Sequence, residues 1–330
     1  MPRTPTARIH RGTPANLRRL AALLRDGELV AVPTETVYGL AANALDADAC
    51  RKIFEVKGRP ASDPLIIHLA DPTDLALVAE TNDAAQRLAK KFWPGPLTLV
   101  LPKKDSVPGV VSAGLPSVAV RVPAHPLFRR LLKLAGLPLA APSANPFGYI
   151  SPTTAAHVQQ SLGGKISHIL DGGPSKIGLE STIVDLRDPK KPRLLRPGAI
   201  TLEQLEHTLG CPMEHKPAVA HSERRAQLAP GLLARHYSPR TPVVLHKTME
   251  ADRTAKIEAW LFLARPAGRA AKNIFWLDAR GDLRGVARKL FATLRRLDDG
   301  RFQKIHVELA RGNGLAEAIN DRLRRAAAKP

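Results

Sequence analysis

Cysteine is almost missing from this 330-residue chain. Cys50 and Cys211 stand far apart and without metal-ligand spacing, so neither a disulfide framework nor a zinc site is expected, and a reducing cytoplasm fits. Aromatic residues make up 4%, too few for a stripe of rings interleaved with basic residues that would stack nucleobases. No apolar run approaches the ~18 residues of a membrane span, and the basic N-terminus is followed by no apolar leader segment. Neither secretion nor membrane insertion is expected. A Walker A loop, a His-Glu metalloprotease motif and a nucleophile elbow are also missing. Gly312-Asn313-Gly314 lacks the third glycine of a dinucleotide fingerprint, because Glu317 stands there. Any phosphate site must therefore be assembled from dispersed residues.

What the chain does have is positive charge and proline. The net charge is +20, of which residues 211–330 supply +12 and residues 1–210 supply +8. Such a balance favours polyanionic partners, nucleic acid above all, although arginines on helix faces are ordinarily just solvated. The 29 prolines are scattered among apolar runs, which indicates many ordered turns and a loop-rich fold rather than disorder. The length predicts two domains, each able to bury a core.

Glu55-Val56-Lys57-Gly58-Arg59-Pro60-Ala61-Ser62-Asp63-Pro64 places two cations one residue apart between a predicted helix and a predicted strand. Gly58 permits close approach of a ligand, Pro60 and Pro64 stiffen the exit, and Lys57 sets a point charge beside the bidentate fork of Arg59. The loop is either a phosphate site or a solvated basic turn, and its partners elsewhere decide between them.

In chain order, Thr13-Pro14 caps a helix carrying Leu17, Leu20, Ala21 and Leu24 up to Gly27. A strand over 28–33 runs into the polar cluster from Thr34 to Leu40. Asp46 caps the helix that delivers Lys57 and Arg59, and the strand from Leu65 to Leu69 contains His68, either a satisfied core histidine or a ligand contact. Asn82 opens a helix ending at Phe92-Trp93-Pro94-Gly95-Pro96, and a strand from Leu97 to Leu101 follows. Ser117 to Val122 alternates as a strand and puts Arg121 inside a sheet, where its guanidinium needs an anion, either a protein carboxylate or a substrate carboxylate. After a helix over 127–134 come the loop from Pro142 to Pro146 and Ser151-Pro152-Thr153, read as the start of another helix. Arg196-Pro197-Gly198 offers one more cation at a tight turn. Irregular mixing of strands and helices up to about Gly210 indicates an α/β fold without a simple crossover repeat. Residues 211–241 read as an interdomain linker. Beyond it a strand over 242–245, a helix near 252–263, a strand over 273–277, a helix near 283–297, a strand over 303–309 and a last helix from about Leu315 predict a small parallel three-layer domain.

Taken together, Pro33-Thr34-Glu35-Thr36-Val37-Tyr38-Gly39-Leu40, Lys57-Gly58-Arg59-Pro60, Phe92 to Thr98, Ser143-Ala144-Asn145, Asp171-Gly172-Gly173 and Leu179-Glu180-Ser181-Thr182 resemble, in order, the threonylcarbamoyl-AMP synthases of the YrdC-like family. Pro230 to Pro239 and the tail from Ala318 to Leu323 are similar to its longer, two-domain branch. The resemblance implies a YrdC-like twisted-sheet catalytic domain with a concave basic cleft over 1–210, a linker over 211–241, and a smaller Rossmann-like domain over 242–330. It implies synthesis of threonylcarbamoyl-AMP from L-threonine, bicarbonate and ATP with release of pyrophosphate, for tRNA modification by downstream transfer proteins.

Carried over residue by residue, the resemblance implies that Lys57, Arg59 and Arg196 bind the triphosphate with Mg²⁺. Ser117, Ser143, Asn145 and Ser151 would hold nucleotide or carbamate oxygens, and Tyr237 would cover the ATP. Arg121 would take the threonine carboxylate, with Thr36, His68, Ser181 and the Ala141 backbone reading the rest of the amino acid. Asp63 stands where the family commonly has asparagine, and its carboxylate would repel phosphate unless Mg²⁺ or a cation intervenes. A basic RNA-binding module without ATP chemistry is the alternative, and a carbamoyltransferase-type maturation domain a third reading, disfavoured by the lack of zinc-finger cysteines. The basic second half predicts weak association with tRNA or an acidic partner through Arg295, Arg296 and Arg301.

Overall fold

The computed structural model describes residues 6–215, 225–233, 236–252, 254–268, 271–300 and 302–328. Ala234, Arg235 and Arg301, which figure in the sequence reading, lie outside the described residues.

The first unit runs β1 (Arg8–Arg11), α1 (Pro14–Arg25), β2 (Val30–Val32), β3 (Gly39–Asn43), α2 (Ala47–Lys57), β4 (Ile66–His68), α3 (Asp83–Phe92), β5 (Leu97–Pro102), β6 (Ser117–Arg121), α4 (Pro126–Ala135), β7 (Leu139–Ala140), α5 (Ala155–Leu162), β8 (His168–Asp171), β9 (Thr182–Asp185), β10 (Arg193–Arg196) and α6 (Leu202–Leu209). The caps read from sequence are in place. Thr13, Asp46 and Asn82 each accept a backbone N–H of the helix they start, and Gly58 closes α2 in the left-handed region at φ 62°, where a side chain would be strained. The helix expected from Ser151 begins later: Thr154 caps α5, because Ser151 to Thr153 stay extended along the site. Arg196 is the last residue of a strand rather than part of the turn that follows it.

The strands form one mixed ten-stranded sheet, ordered β1-β8-β2-β3-β7-β4-β6-β5-β9-β10. Alternation along the strands sends side chains to two different cores. On one face Ile67, Val118, Val120 and Val184 pack under α2, α3, α5 and α6. On the other, α1 and α4 cover one end through Leu17, Leu20, Phe128 and Leu131. The opposite end is covered by Ala229 and Leu232 lying on Ile66, Ala119 and Ile183. Between these two covers lies a gap. Parallel β4 and β6 end there in register, with His68 beside Arg121.

The second unit contains β11 (Val243–His246), β12 (Glu258–Phe262), β13 (Ile274–Trp276), α7 (Leu283–Asp299), β14 (Lys304–Glu308) and α8 (Leu315–Ala327), its four parallel strands ordered β11-β14-β12-β13. The helix expected near 252–263 is instead β12. Asp252 accepts from the backbone and hydroxyl of Thr254 in a local turn, and Glu258 to Phe262 then alternate between two apolar environments. Ala259, Leu261, Ile305 and Val307 face α7 and α8, whereas Trp260, Phe262 and Ile274 face a layer of irregular chain around Met249, Ala251 and Ala271.

The core under α7 and α8 also takes in Val37, Ile150, Leu179 and Tyr237. The second unit thus rests on three loops of the first. Gly178, at φ 83°, marks the tightest approach, because a Cβ there would meet the Ala287 carbonyl oxygen at 2.5 Å. Among the described residues no helix is long and apolar enough to cross a membrane.

Candidate active site

The gap in the sheet's cover is bordered by Pro230, Gly231, His236 and Tyr237 and lined by Thr36, Arg59, His68, Arg121, Ala141, Ser143, Glu180, Ser181 and Arg196, among others. Nine of the fourteen residues singled out by sequence therefore meet in one cavity. Its free volume is about 40 Å³, room for a water and not for a nucleotide.

Four buried cations converge here, and they differ in how they are balanced. Arg121 lies on β6 and meets a protein carboxylate: it donates to Glu35 Oε1 at 2.6 Å, to Thr36 Oγ1 at 3.0 Å and to the Gly95 carbonyl at 3.2 Å. Of the two anions its burial demanded, the protein one is thus in place, while Arg121 still lines the cavity. Glu35 keeps a second, buried oxygen that no hydrogen bond satisfies. Arg59 is paired with the fully buried Asp63 at 3.0 Å and donates to the carbonyls of Asp63 and Pro64. The cation needed to offset Asp63 is therefore its neighbour Arg59, and this carboxylate points at a guanidinium.

Lys57 and Arg196 have only neutral acceptors. Lys57 Nζ donates to the Ser143 carbonyl at 2.6 Å and to the Asn145 carbonyl, and burial first, then nearby Arg59, lowers its pKa well below the usual lysine value. Arg196 donates to the Ser181 carbonyl and hydroxyl, each at 3.1 Å, and to the Pro230 carbonyl at 3.1 Å. No carboxylate among the described residues bonds to either. Two buried basic side chains thus have only neutral hydrogen-bond acceptors among the described residues, an arrangement suited to an anionic guest.

The polar lining is equally fixed. Thr36 Oγ1 lies 2.7 Å from Thr34 Oγ1, and Ser181 Oγ lies 2.8 Å from Thr98 Oγ1. His68 Nδ1 sits 3.1 Å from the Ile66 carbonyl, and burial, reinforced by Arg121, pushes the imidazole down to about 3, so it is neutral at pH 7. Tyr237 is fully buried at φ 62°, a strained backbone for a non-glycine residue, and its hydroxyl has no partner. Tyr237 is among the residues that line the cavity, and a buried hydroxyl without a partner among the described residues calls for an explanation.

The other residues fall outside the cavity. Lys57 and Asn145 stand behind Ser143, and Asn145 Nδ2 is bonded to the carbonyls of Pro146 and Tyr149. Ser151 Oγ donates to Glu180 Oε1 at 2.5 Å. Ser117 is on the same face of β6 as Arg121 but roughly 13 Å along the strand, buried with an unpartnered hydroxyl. Sequence reasoning missed Glu35 and Glu180, although both stand inside quoted motifs, because a carboxylate beside an anion site looks out of place until its arginine partner is known.

The surface patch expected from Arg295, Arg296 and Arg301 does not form as read. Arg295 is buried against the first unit: it donates to the carbonyls of Ile150 and Ser151 and to Ser161 Oγ, and lies 4.9 Å from the Tyr149 ring. Only Arg296, of the two described, remains on the surface.

Buried basic side chains and hydroxyls thus gather at the ends of parallel strands in an α/β scaffold, a lining whose chemistry suits a small anionic guest. Comparison with known proteins narrows this class. Residues 22–198 match the Sua5/YciO/YrdC family, described as telomere recombination, and residues 200–328 match the threonylcarbamoyl-AMP synthase C-terminal domain. Similar proteins include threonylcarbamoyl-AMP synthases of Pyrococcus abyssi, 44% identical over 94% of this chain and 93% of the relative, and of Bacillus subtilis, 42% identical over 94% and 92%. The crystal structure of Pyrococcus abyssi Sua5 complexed with L-threonine superposes with a TM-score of 0.89 at 41% identity, covering 97% of this chain and 98% of that one. The chain belongs to the Sua5/YciO/YrdC family, in the branch carrying the threonylcarbamoyl-AMP synthase C-terminal domain.

Proposed function

We propose that this protein synthesises threonylcarbamoyl-AMP from L-threonine, bicarbonate and ATP, releasing pyrophosphate, to supply the modification of tRNA. The observation that carries the reading is Arg196, a buried guanidinium hydrogen-bonded only to neutral acceptors, lining one cavity with Tyr237, and Lys57, likewise bonded only to carbonyls, directly behind the cavity wall at Ser143. It is supported by the family and by the threonine bound to a relative that superposes over nearly the whole chain.

The chemistry asks for position and charge neutralisation more than for a protein nucleophile. The threonine amine attacks the bicarbonate carbon and water departs, leaving a carbamate. A carbamate oxygen then attacks the α-phosphorus and the bond to pyrophosphate breaks. Lys57, Arg59 and Arg196 stabilise the triphosphate and the departing pyrophosphate. Arg121, rigid on β6 and shared with Glu35, takes the threonine carboxylate, while Thr36, Ser181, neutral His68 and the Ala141 backbone fix the amino acid. Ser143, Asn145, Ser151 and the more distant Ser117 serve the nucleotide, and Asp63 acts through Arg59 rather than by touching phosphate. The cavity is too small for ATP as it stands, so the lining residues Pro230, Gly231 and Tyr237 shift to admit it.

Among the described residues no cluster of three potential metal ligands exists, and Glu35, Asp63 and Glu180 are all committed to arginines. Mg²⁺ carried by the triphosphate would offset phosphate charge beside Lys57, Arg59 and Arg196. In this reading residues 1–210 are the catalytic domain, 211–241 the linker and 242–330 the accessory domain. The reaction is cytoplasmic, and the product passes to tRNA-modifying proteins. The net charge of +20 favours weak RNA association as a second property. It does not make the site an RNA groove, because Lys57, Arg59, Arg121 and Arg196 are buried.

The test is pyrophosphate release from ATP and Mg²⁺ with threonine and bicarbonate omitted in turn. Dependence on both establishes the reaction. Release indifferent to either one overturns it, and no release at all favours the RNA-binding reading.

A further inference from the structure

Arg322, midway along α8, is the largest fully buried side chain among the described residues, yet it comes from the second unit and is not itself among the residues that line the cavity. Its guanidinium donates to Glu180 Oε2 at 2.9 Å, to the Glu180 carbonyl at 3.4 Å, to the Pro197 carbonyl at 2.8 Å and to Asp321 Oδ2 at 2.8 Å. The same guanidinium lies 5.5 Å from the centre of the Tyr237 ring. One turn away, Arg325 holds Asp321 at 2.9 Å and the Leu233 carbonyl at 2.6 Å, and its own carbonyl accepts from the Ser238 hydroxyl at 3.2 Å. Helix α8 therefore grips both the carboxylate of Glu180 and the chain that carries Tyr237.

Among the described residues Glu180 is the one carboxylate lining the cavity, and Arg196, with no carboxylate among its hydrogen-bond partners there, lines it too. A buried carboxylate next to an unbalanced buried guanidinium would pair with it, since each otherwise stands desolvated without a counter-charge. In this structure they do not pair. Glu180 has one oxygen on Ser151 and the other on Arg322, and Arg196 keeps its charge.

We propose that Arg322 is a positioning residue of the site, which sequesters Glu180 so that Arg196 stays free for an anionic substrate. The inference rests on the synthase reading for the identity of that anion, taken to be the triphosphate. Arg322 touches neither substrate nor reacting atoms. It acts by deciding which cation Glu180 neutralises, and by bracing Tyr237 through its ring. The second unit is then a working part of the site, since it supplies the counter-charge that keeps a phosphate cation uncommitted.

The test compares Arg322→Gln, Arg322→Lys and the double variant Glu180→Gln/Arg322→Gln, in KM for ATP and threonine during pyrophosphate release and in equilibrium binding of a non-hydrolysable ATP analogue. Arg322→Gln is expected to weaken analogue binding and raise KM for ATP more than tenfold while KM for threonine moves less than threefold. Arg322→Lys should recover part of that loss. The double variant, with both charges gone, should recover at least half of it on a logarithmic scale. A loss merely structural in origin would fall equally on both substrates and would not be rescued by removing Glu180. The proposal is overturned if the double variant binds the analogue as poorly as Arg322→Gln, or if Arg322→Gln binds it within threefold of the wild type. Should Arg322→Gln fail to fold, the double variant alone decides, since poor analogue binding by a folded double variant is incompatible with the proposal. Failure of the synthase reading shows separately, as wild-type release that ignores threonine or bicarbonate.

Discussion

Replacing Gly178 by alanine drives a wedge between the two units at a known point. The new Cβ would lie 2.5 Å from the Ala287 carbonyl oxygen and 2.6 Å from the Arg288 Cα, both backbone atoms of α7, so no side chain can swing aside. Reaching the 3.4 Å at which ordinary contact begins requires α7 to retreat from 2.5 Å, by about 0.9 Å. Overpacking of this kind costs about 1–3 kcal/mol, and holding alanine at φ 83° adds about 1–2 kcal/mol. A loss of about 3 kcal/mol in urea unfolding is expected. The displacement has a chemical reading as well. Gly178 N–H donates to the Thr36 carbonyl and Ile177 N–H to the Glu35 carbonyl, so a shifted strap disturbs the pair that holds Arg121, and KM for threonine should rise severalfold. Gly136→Ala is the control: at φ 69° it has no atom within 4 Å of the new Cβ, so it bears the backbone cost alone and leaves threonine kinetics untouched. If Gly178→Ala unfolds like the control, with an unaltered KM, then α7 does not rest against that strap in solution.

Other outcomes are as definite. Lys57→Ala and Arg59→Ala should each slow pyrophosphate release far more than threefold, and losses below that, about 0.7 kcal/mol of barrier, refute the phosphate assignment. Asp63→Ala strands a buried guanidinium and should cost about 3–5 kcal/mol in denaturant unfolding; a change under 1 kcal/mol would mean that Arg59 finds water instead. For His68, the folded-state pKa of about 3 lies below the ordinary 6.5, so between those values only the unfolded chain takes up that proton. Stability should therefore fall as the pH drops through this window, and less so in His68→Gln, with equal slopes counting against the buried neutral imidazole. Chelation of Mg²⁺ should abolish turnover while leaving the melting temperature unchanged, because no protein cage is emptied; a lower melting temperature would reveal one.

Much of this was legible in advance because the signals were local. Thr13, Asp46 and Asn82 announce helix starts through short-range hydrogen bonds, and Gly58 announces the left-handed residue that ends α2. Arg121 was readable as a buried cation in want of an anion, but its choice of Glu35 depends on a contact 86 residues away in sequence. β12 was hidden because both of its faces are apolar, which erases the polar alternation that distinguishes a strand from a buried helix. The burial of Arg295, which reads in sequence as part of an exposed basic cluster, and of Arg322 was hidden for a similar reason. The surface that buries them belongs to the other unit, and nothing in a helix's own periodicity says that its charged side will be covered.

The core shared between the units has a consequence for how a working molecule arises. Val37, Ile150 and Leu179 pack against α7 and α8, and Glu180 finds its counter-charge on α8, which follows every other described element in the chain. A polypeptide interrupted between β10 and α7, by proteolysis or premature termination, still carries every strand of the ten-stranded sheet together with Lys57, Arg59, Arg121 and Arg196, yet it leaves three apolar loops bare and Glu180 without its partner on α8. Such fragments would be sticky and inert. Competence to activate threonine thus requires a chain that extends through α8, and shorter ones withdraw from the reaction without any separate mechanism to silence them.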